Sequence, residues 1–276
     1  MMAAVVILCA YYSLRFGKLE FSKPDYKPAQ LFDFIDLLSK FYFGSYDTVR
    51  PEGMPFFYAG MLMTLLLPLY FVIPEIKTRK KVGAGFMMAL MLVSVNLSTA
   101  DLVWHGFQRP NWLNARFIFM FVFIMLIMAY EVLIKLHKTD FKKVVVSGAA
   151  VTLVLFVLQS MEMTNLPDIE SVWPSILIIG LLLLALRFSY KKVAKPYITV
   201  SASLLAILVC AELFAAGTLD LYSFHEDVMY STRESYRTFL DKYYSAVEFV
   251  DDDGFYRDEK TEHRKPNDNL KLHFNS

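Results

Sequence analysis

Asp101-Leu-Val-Trp-His-Gly-Phe-Gln-Arg-Pro-Asn-Trp-Leu-Asn-Ala-Arg116 lies between two apolar runs, Val82–Thr99 and Phe117–Leu136. The short stretch holds an acid, two tryptophans, an imidazole, two arginines and two asparagines. Its flanks read as membrane helices. Lipid tolerates no unpaired backbone, so a loop this polar belongs at a membrane surface or on the wall of a wet cavity. One such hairpin sets the class of the whole chain: helices that cross, joined by polar turns.

Composition agrees. Of the 276 residues, 56% are hydrophobic and 16% aromatic, and the mean hydropathy is +0.40. Those values suit a polytopic membrane protein rather than a soluble domain. The net charge of +1 gives no electrostatic case for nucleic acid. Cys9 and Cys210 both fall in apolar runs, which argues for buried structural thiols and against a disulfide framework or metal site. Met1–Leu14 is apolar without a basic leader, a poor signal peptide. It reads as a membrane helix whose beginning is missing, since about 20 residues are needed to span.

Further runs at Met54–Ile73, Val144–Ser160, Val172–Ser189 and Pro196–Ala216 bring the expectation to six full spans and one truncated one. The loops give direction. Pro74–Lys81, Lys135–Lys143 and Arg187–Lys195 each carry four Lys or Arg. Met161–Glu170 carries none, and the Asp101 hairpin only Arg109 and Arg116. The positive-inside rule puts the basic loops in the cytoplasm. Loops 15–53 and 100–116 and the C-terminal segment then lie outside.

The expected fold class is therefore all-α and polytopic, with about six or seven transmembrane helices and a partial extracytoplasmic α+β segment at the C-terminus. The expected parts are a truncated helix at 1–14, an outer loop at 15–53, a six-helix bundle at 54–216 and the start of an outer domain at 217–276. In the outer loop, Leu31–Phe43 has polar residues at 33, 36 and 40 on one stripe, which predicts an interfacial helix. In the tail, Ser231-Thr-Arg-Glu234 resembles a capping box. Tyr236, Phe239, Leu240, Tyr243 and Val247 follow at helical spacing, and Gly254–Lys260 and Leu270–Phe274 read as short strands.

Each polar residue of the hairpin has a functional and a structural reading. Trp104 and Trp112 suit stacking on a sugar or anchoring at the headgroup level. His105 suits a base, a phosphate contact or a loop hydrogen bond. Arg109 and Arg116 have the forked geometry that holds a phosphate, and equally pair with Asp101 or reach lipid headgroups. Asp101 suits a metal ligand, a base or a helix cap, and capping is the commonest use. Gln108 and Asn111 complete the hydrogen-bonding set. Asp47 and Arg50 lie in the other outer loop, and spacing does not show whether they face the same cavity. Glu131 and Glu212 lie within spans, where an acid is costly. Asn96-Leu-Ser98 matches a glycosylation sequon but lies in a span. No zinc spacing, calcium loop, Gly-rich phosphate loop or nucleophile elbow is present, so no metal or cofactor is assigned.

Several segments together resemble the bacterial YfhO family of membrane proteins. They are Phe43-Gly-Ser-Tyr-Asp47, Gly53-Met-Pro-Phe-Phe-Tyr-Ala-Gly60, Trp104-His-Gly-Phe-Gln-Arg-Pro-Asn-Trp112 with Arg116-Phe-Ile-Phe119, Gly254-Phe-Tyr-Arg257 and Asn267-Asp-Asn-Leu270. The likeness runs from about Leu37 to the last residue. It implies a GT-C-type glycosyltransferase that decorates lipoteichoic acid with a sugar from a polyprenyl-phosphate donor. Partners implied are membrane lipids, that donor and a teichoic acid-type acceptor. Under the resemblance this stretch is a fragment, the later membrane half and the edge of an outer domain. The catalytic acid of such enzymes sits in a first outer loop that the stretch lacks. No catalytic residue is carried over, and the piece alone is expected to be inactive. The rival readings are a transporter or flippase of a lipid-linked substrate and a noncatalytic scaffold.

Overall fold

A computed structural model describes residues 8–9, 11–12, 26–50, 52–107, 112–160, 169–190, 195–228 and 231–250. They form two compact units, Met1–Asp227 and Val228–Ser276. Among the described residues the fold is helical, and the sole strand-like pairing is a bridge between Gln30 and Leu97.

The first unit is built around a short helix. α1 is the single turn Asp36–Ser39. α2, Met61–Val72, has only 12 residues, about 18 Å at 1.5 Å per residue, against ~30 Å of hydrocarbon. It is nevertheless the hub, packed against α5 (Ile118–Lys135), α6 (Phe141–Ser160) and α7 (Ile169–Tyr190). Met61, Leu65, Leu66 and Leu69 are almost wholly buried in it. α3, Thr78–Asn96, is followed after Leu97 by α4, Ser98–Trp104. α8, Lys195–Asp227, runs 33 residues and packs on α7.

Three helices are long and apolar enough to cross a membrane: Ile118–Lys138, Phe141–Ser160 and Val200–His225. Two shorter apolar helices, Met61–Val72 and Val172–Phe188, add to them. The run expected to span from Met54 is half helix and half extended chain. Residues 53–60 carry no regular structure, and Pro55 lacks the N–H that a helix would use. Gly60 turns the chain into α2 with φ of +94°, a conformation that a side chain would strain. Irregular backbone is tolerated at membrane depth only where protein covers it, and Met54, Phe57 and Met61 are buried.

Two other expectations shift. α8 passes through Gly217 and ends at Asp227, so the bundle's last helix outruns Ala216. One glycine costs about 1 kcal/mol in a helix, too little to stop one flanked by Ala216 and Leu219. The interfacial helix over Leu31–Phe43 contracts to the turn Asp36–Ser39. Asp33 Oδ1 accepts the Ile35 N–H at 3.0 Å, a local bond that competes with helix formation. Phe32 N–H is drawn away to Asn96 Oδ1 at 2.8 Å. Lys40, expected on a water-facing stripe, is 1% exposed.

The sequon-like Asn96-Leu-Ser98 is the break between α3 and α4. Leu31 N–H donates to Asn96 O, and Ser98 N–H donates to Ala29 O. At the far end of the bundle, Glu131 meets Lys80 at 2.8 Å and Lys135 at 2.5 Å. Its place in a span is thus explained by pairing with the basic end.

The second unit contributes α9, Arg233–Val250. Its cap is Thr232, whose Oγ1 accepts the Ser235 N–H at 3.1 Å, one residue later than the sequence pattern placed it. Phe239 and Tyr243 pack ring to ring at 4.7 Å. The two expected strands, at 254–260 and 270–274, lie outside the described residues, as do 13–25 and most of 1–14.

Candidate functional site

The hairpin and the loop Lys40–Gly60 meet at one end of the bundle. Leu113 N–H donates to Val49 O at 2.8 Å. Asn114 Nδ2 donates to Gly53 O at 2.8 Å. Gly53 cannot be anything else, because a Cβ there would lie 1.8 Å from Thr48 O. Asp47 and Arg50 therefore do share an end with the hairpin, which spacing alone did not reveal.

Within the hairpin the polar groups largely serve the hairpin. His105 Nδ1 lies 2.9 Å from Asp101 O and 3.3 Å from Asp101 Oδ1. Its Nε2 accepts the Arg116 N–H at 3.4 Å. Arg116 folds back, donating Nη2 to Trp112 O at 3.0 Å and Nε to Leu113 O at 3.4 Å. Trp104 stacks on Phe117, centroids 5.0 Å apart and 17° from parallel. Trp112 is exposed. Phe107, Leu113 and Ala115 all have positive φ, each at a cost of about 1 kcal/mol. Gln108, Arg109 and Asn111 lie outside the described residues. Among the described residues no cluster of three or more His, Cys, Asp or Glu could hold a metal ion.

Much of the loop Lys40–Gly60 is held from a distance, by acids on α8. Asp227 accepts from Tyr46 OH at 2.7 Å, Thr48 Oγ1 at 2.8 Å and Val49 N–H at 3.1 Å. Arg50 Nε stands 3.7 Å away. Burial pushes the Asp227 carboxyl up, but these hydrogen bonds and the Arg50 charge together hold it below its ordinary value. Burial and the bond to Asp227 push the Tyr46 phenol up. Deeper, Glu212 is 4% exposed. Its Oε1 accepts from Tyr58 OH and from the first N–H of α2, on Met61. That carboxylate caps a positive helix end. Its Oε2 is buried without a hydrogen-bond partner among the described residues.

Lys40 completes the arrangement. Its Nζ donates to Ser45 O at 2.9 Å and lies 3.7 Å from Asp47 Oδ2. Burial pulls the ammonium below its ordinary value, against the raising influence of Asp47, Asp36 and Asp220. Asp47 also accepts the Met54 N–H at 2.9 Å. Between Glu212 and Asp227, Asp220 faces a cavity of about 70 Å³ with Gly44, Ser45, Tyr46, Phe56, Phe57, Tyr58 and Ala216.

Glu212 was noted from sequence as an acid within a span. Lys40, Tyr46, Tyr58, Asp220 and Asp227 were not singled out. The available signal was the spacing of three acids, eight and seven residues apart, which returns to one side of a helix at about 3.6 residues per turn.

The arrangement belongs to a helical membrane protein in which buried acids of one long helix organise a loop at the bundle's end. The profile of the bacterial membrane protein YfhO family matches residues 1–276, and the chain belongs to that family. The match extends the resemblance seen from Leu37 onward to the whole sequence. No curated protein and no solved structure matches the chain.

Proposed function

We propose that the chain works in a GT-C-type membrane glycosyltransferase that moves a sugar from a polyprenyl-phosphate donor to a cell-envelope polymer such as lipoteichoic acid. It is multi-pass in the cell membrane, and the hairpin and the loop Lys40–Gly60 face the outside. The resemblance supplies the chemistry, and the counting of basic loops supplies the orientation. The observation that carries the reading is the joining of two polar loops at the end of the bundle away from the Glu131–Lys80–Lys135 cluster. That end combines aromatic rings, hydrogen-bond donors and carboxylates, the groups that hold sugars and phosphates.

Arg109, Arg116 and His105 are the proposed donor-phosphate contacts, with Gln108 and Asn111 alongside. Trp104 and Trp112 are the proposed sugar or lipid contacts. Arg116 would exchange its bonds to Trp112 O and Leu113 O for a phosphate. Alanine at Arg109 and at His105 tests this in the full-length protein. Teichoic acid glycosylation falls while the protein level holds. Unchanged glycosylation at equal level contradicts the assignment.

One observation favours a second reading, a flippase of a lipid-linked substrate. Extended chain at residues 53–60 followed by a short helix capped by a buried acid is the pattern of discontinuous helices in transporters. Movement of a lipid-linked sugar across vesicles without transfer would select that reading.

A further inference from the structure

Asp220 stands apart from its two neighbours on α8. Asp227 accepts three hydrogen bonds and Glu212 two. Asp220 receives none among the described residues, where burial and the nearby Lys40 ammonium act on it in opposite senses. It is half-buried on the wall of a cavity of about 70 Å³. A half-buried carboxylate on a cavity wall accepts hydrogen bonds from the group that fills the cavity.

The cavity's chemistry narrows the donor. An anion is excluded by Asp220 itself. A cation is disfavoured by the Lys40 ammonium, which already acts on that carboxylate. A neutral hydroxyl remains. Tyr46, Phe56, Phe57 and Tyr58 are among the lining residues, and aromatic residues suit the C–H groups beside a hydroxyl. About 70 Å³ admits a group of a few heavy atoms, such as a CH₂OH arm. Ala216 forms part of the wall, where a larger side chain would fill the space.

We infer that this cavity is a subsite for a neutral hydroxymethyl group, whose hydroxyl donates to the Asp220 carboxylate while its carbon lies among the aromatic rings. The arm comes from a sugar or from a glycerol-like polymer unit. Only the naming of these two sources rests on the glycosyltransferase reading. The cavity and the carboxylate do not.

The test is saturation-transfer NMR on the full chain in lipid nanodiscs, with methyl β-glucoside, its 6-deoxy analogue and glycerol as probes. Saturation centres on the CH₂OH protons of methyl β-glucoside or of glycerol, and the 6-deoxy analogue shows none. Asp220→Asn, which keeps the volume, weakens the signal about tenfold through loss of a charge-assisted bond. Ala216→Leu abolishes it by filling the space. A glucoside signal without a glycerol signal assigns the arm to the sugar, and the reverse assigns it to the polymer unit. No saturation from either probe overturns the subsite, as does a signal unchanged in Asp220→Asn. If Ala216→Leu fails to fold, Asp220→Asn and the 6-deoxy analogue still decide. Intact probe binding, together with a full-length protein that moves no sugar onto teichoic acid, overturns the glycosyltransferase reading and leaves the subsite standing.

Discussion

The hairpin Asp101–Arg116 and the loop Lys40–Gly60 are both polar, both lie at one end of the bundle, and differ in where several of their side chains find partners. In the hairpin, Arg116 and His105 bond to residues of the hairpin itself. In the loop, Tyr46 and Thr48 reach an acid 181 and 179 residues away in sequence. Density of polar residues marks a segment that folds on itself. Sparse acids on an apolar helix mark the place where a distant segment is held. A long-range bond adds to the stability of the whole unit, whereas a local one is partly kept in the unfolded chain.

The comparison breaks most easily at Glu212. Glu212→Ala strands the Tyr58 hydroxyl and the Met61 N–H in a buried site. The expected loss is about 3 kcal/mol from two unmet donors, read as a lowered thermal midpoint in detergent. An unchanged midpoint would remove the idea that α8 anchors the start of α2. Asp227→Asn weakens three bonds to a charged acceptor and costs roughly 1–2 kcal/mol.

Acid sharpens the same point. The folded carboxyl of Asp227 titrates below its usual value, so the unfolded state binds more protons at low pH. Its stabilising contribution is complete above about pH 4 and disappears as pH falls through the folded value. The stability gap between the unaltered chain and Asp227→Asn therefore narrows on acidification. A gap that stays constant down to pH 2 would show that the charge is not involved. The smallest effect belongs to the hairpin. Arg116→Ala costs about 0.5 kcal/mol, because the exposed carbonyls of Trp112 and Leu113 regain water. A loss as large as that of Glu212→Ala would invert the comparison.

How far the fold could be read from sequence follows the same division. Apolar runs located Phe141–Ser160 and Ile118–Lys135 to within a few residues, because a bilayer selects on apolar length. The run from Met54 misled, since apolar character does not distinguish a helix from buried extended chain. Pro55, Gly53 and Gly60 carried that information. Leu31–Phe43 misled because Asp33 and Asn96 captured the backbone N–H groups of Ile35 and Phe32, and the second of these partners is far away in sequence. The acids of α8 lie on both sides of Ala216, where the apolar run ends. Hydropathy ends where Asp220 and Asp227 begin to count, yet the helix does not. Trp104, His105 and Arg116 were legible as a polar group, but their orientation toward one another was not.

A cross-link between Thr48→Cys and Asp227→Cys tests the central claim most directly, with Cys9 and Cys210 replaced by serine. Thr48 Oγ1 and Asp227 Oδ1 are 2.8 Å apart, and a cysteine sulfur at 227 stands one bond short of that oxygen, so a short bifunctional thiol reagent bridges the pair. The reagent in native membranes should form the cross-link, visible as a single chain after cleavage in the intervening sequence. Two separated fragments under the same conditions would contradict the claim that α8 holds the loop Lys40–Gly60.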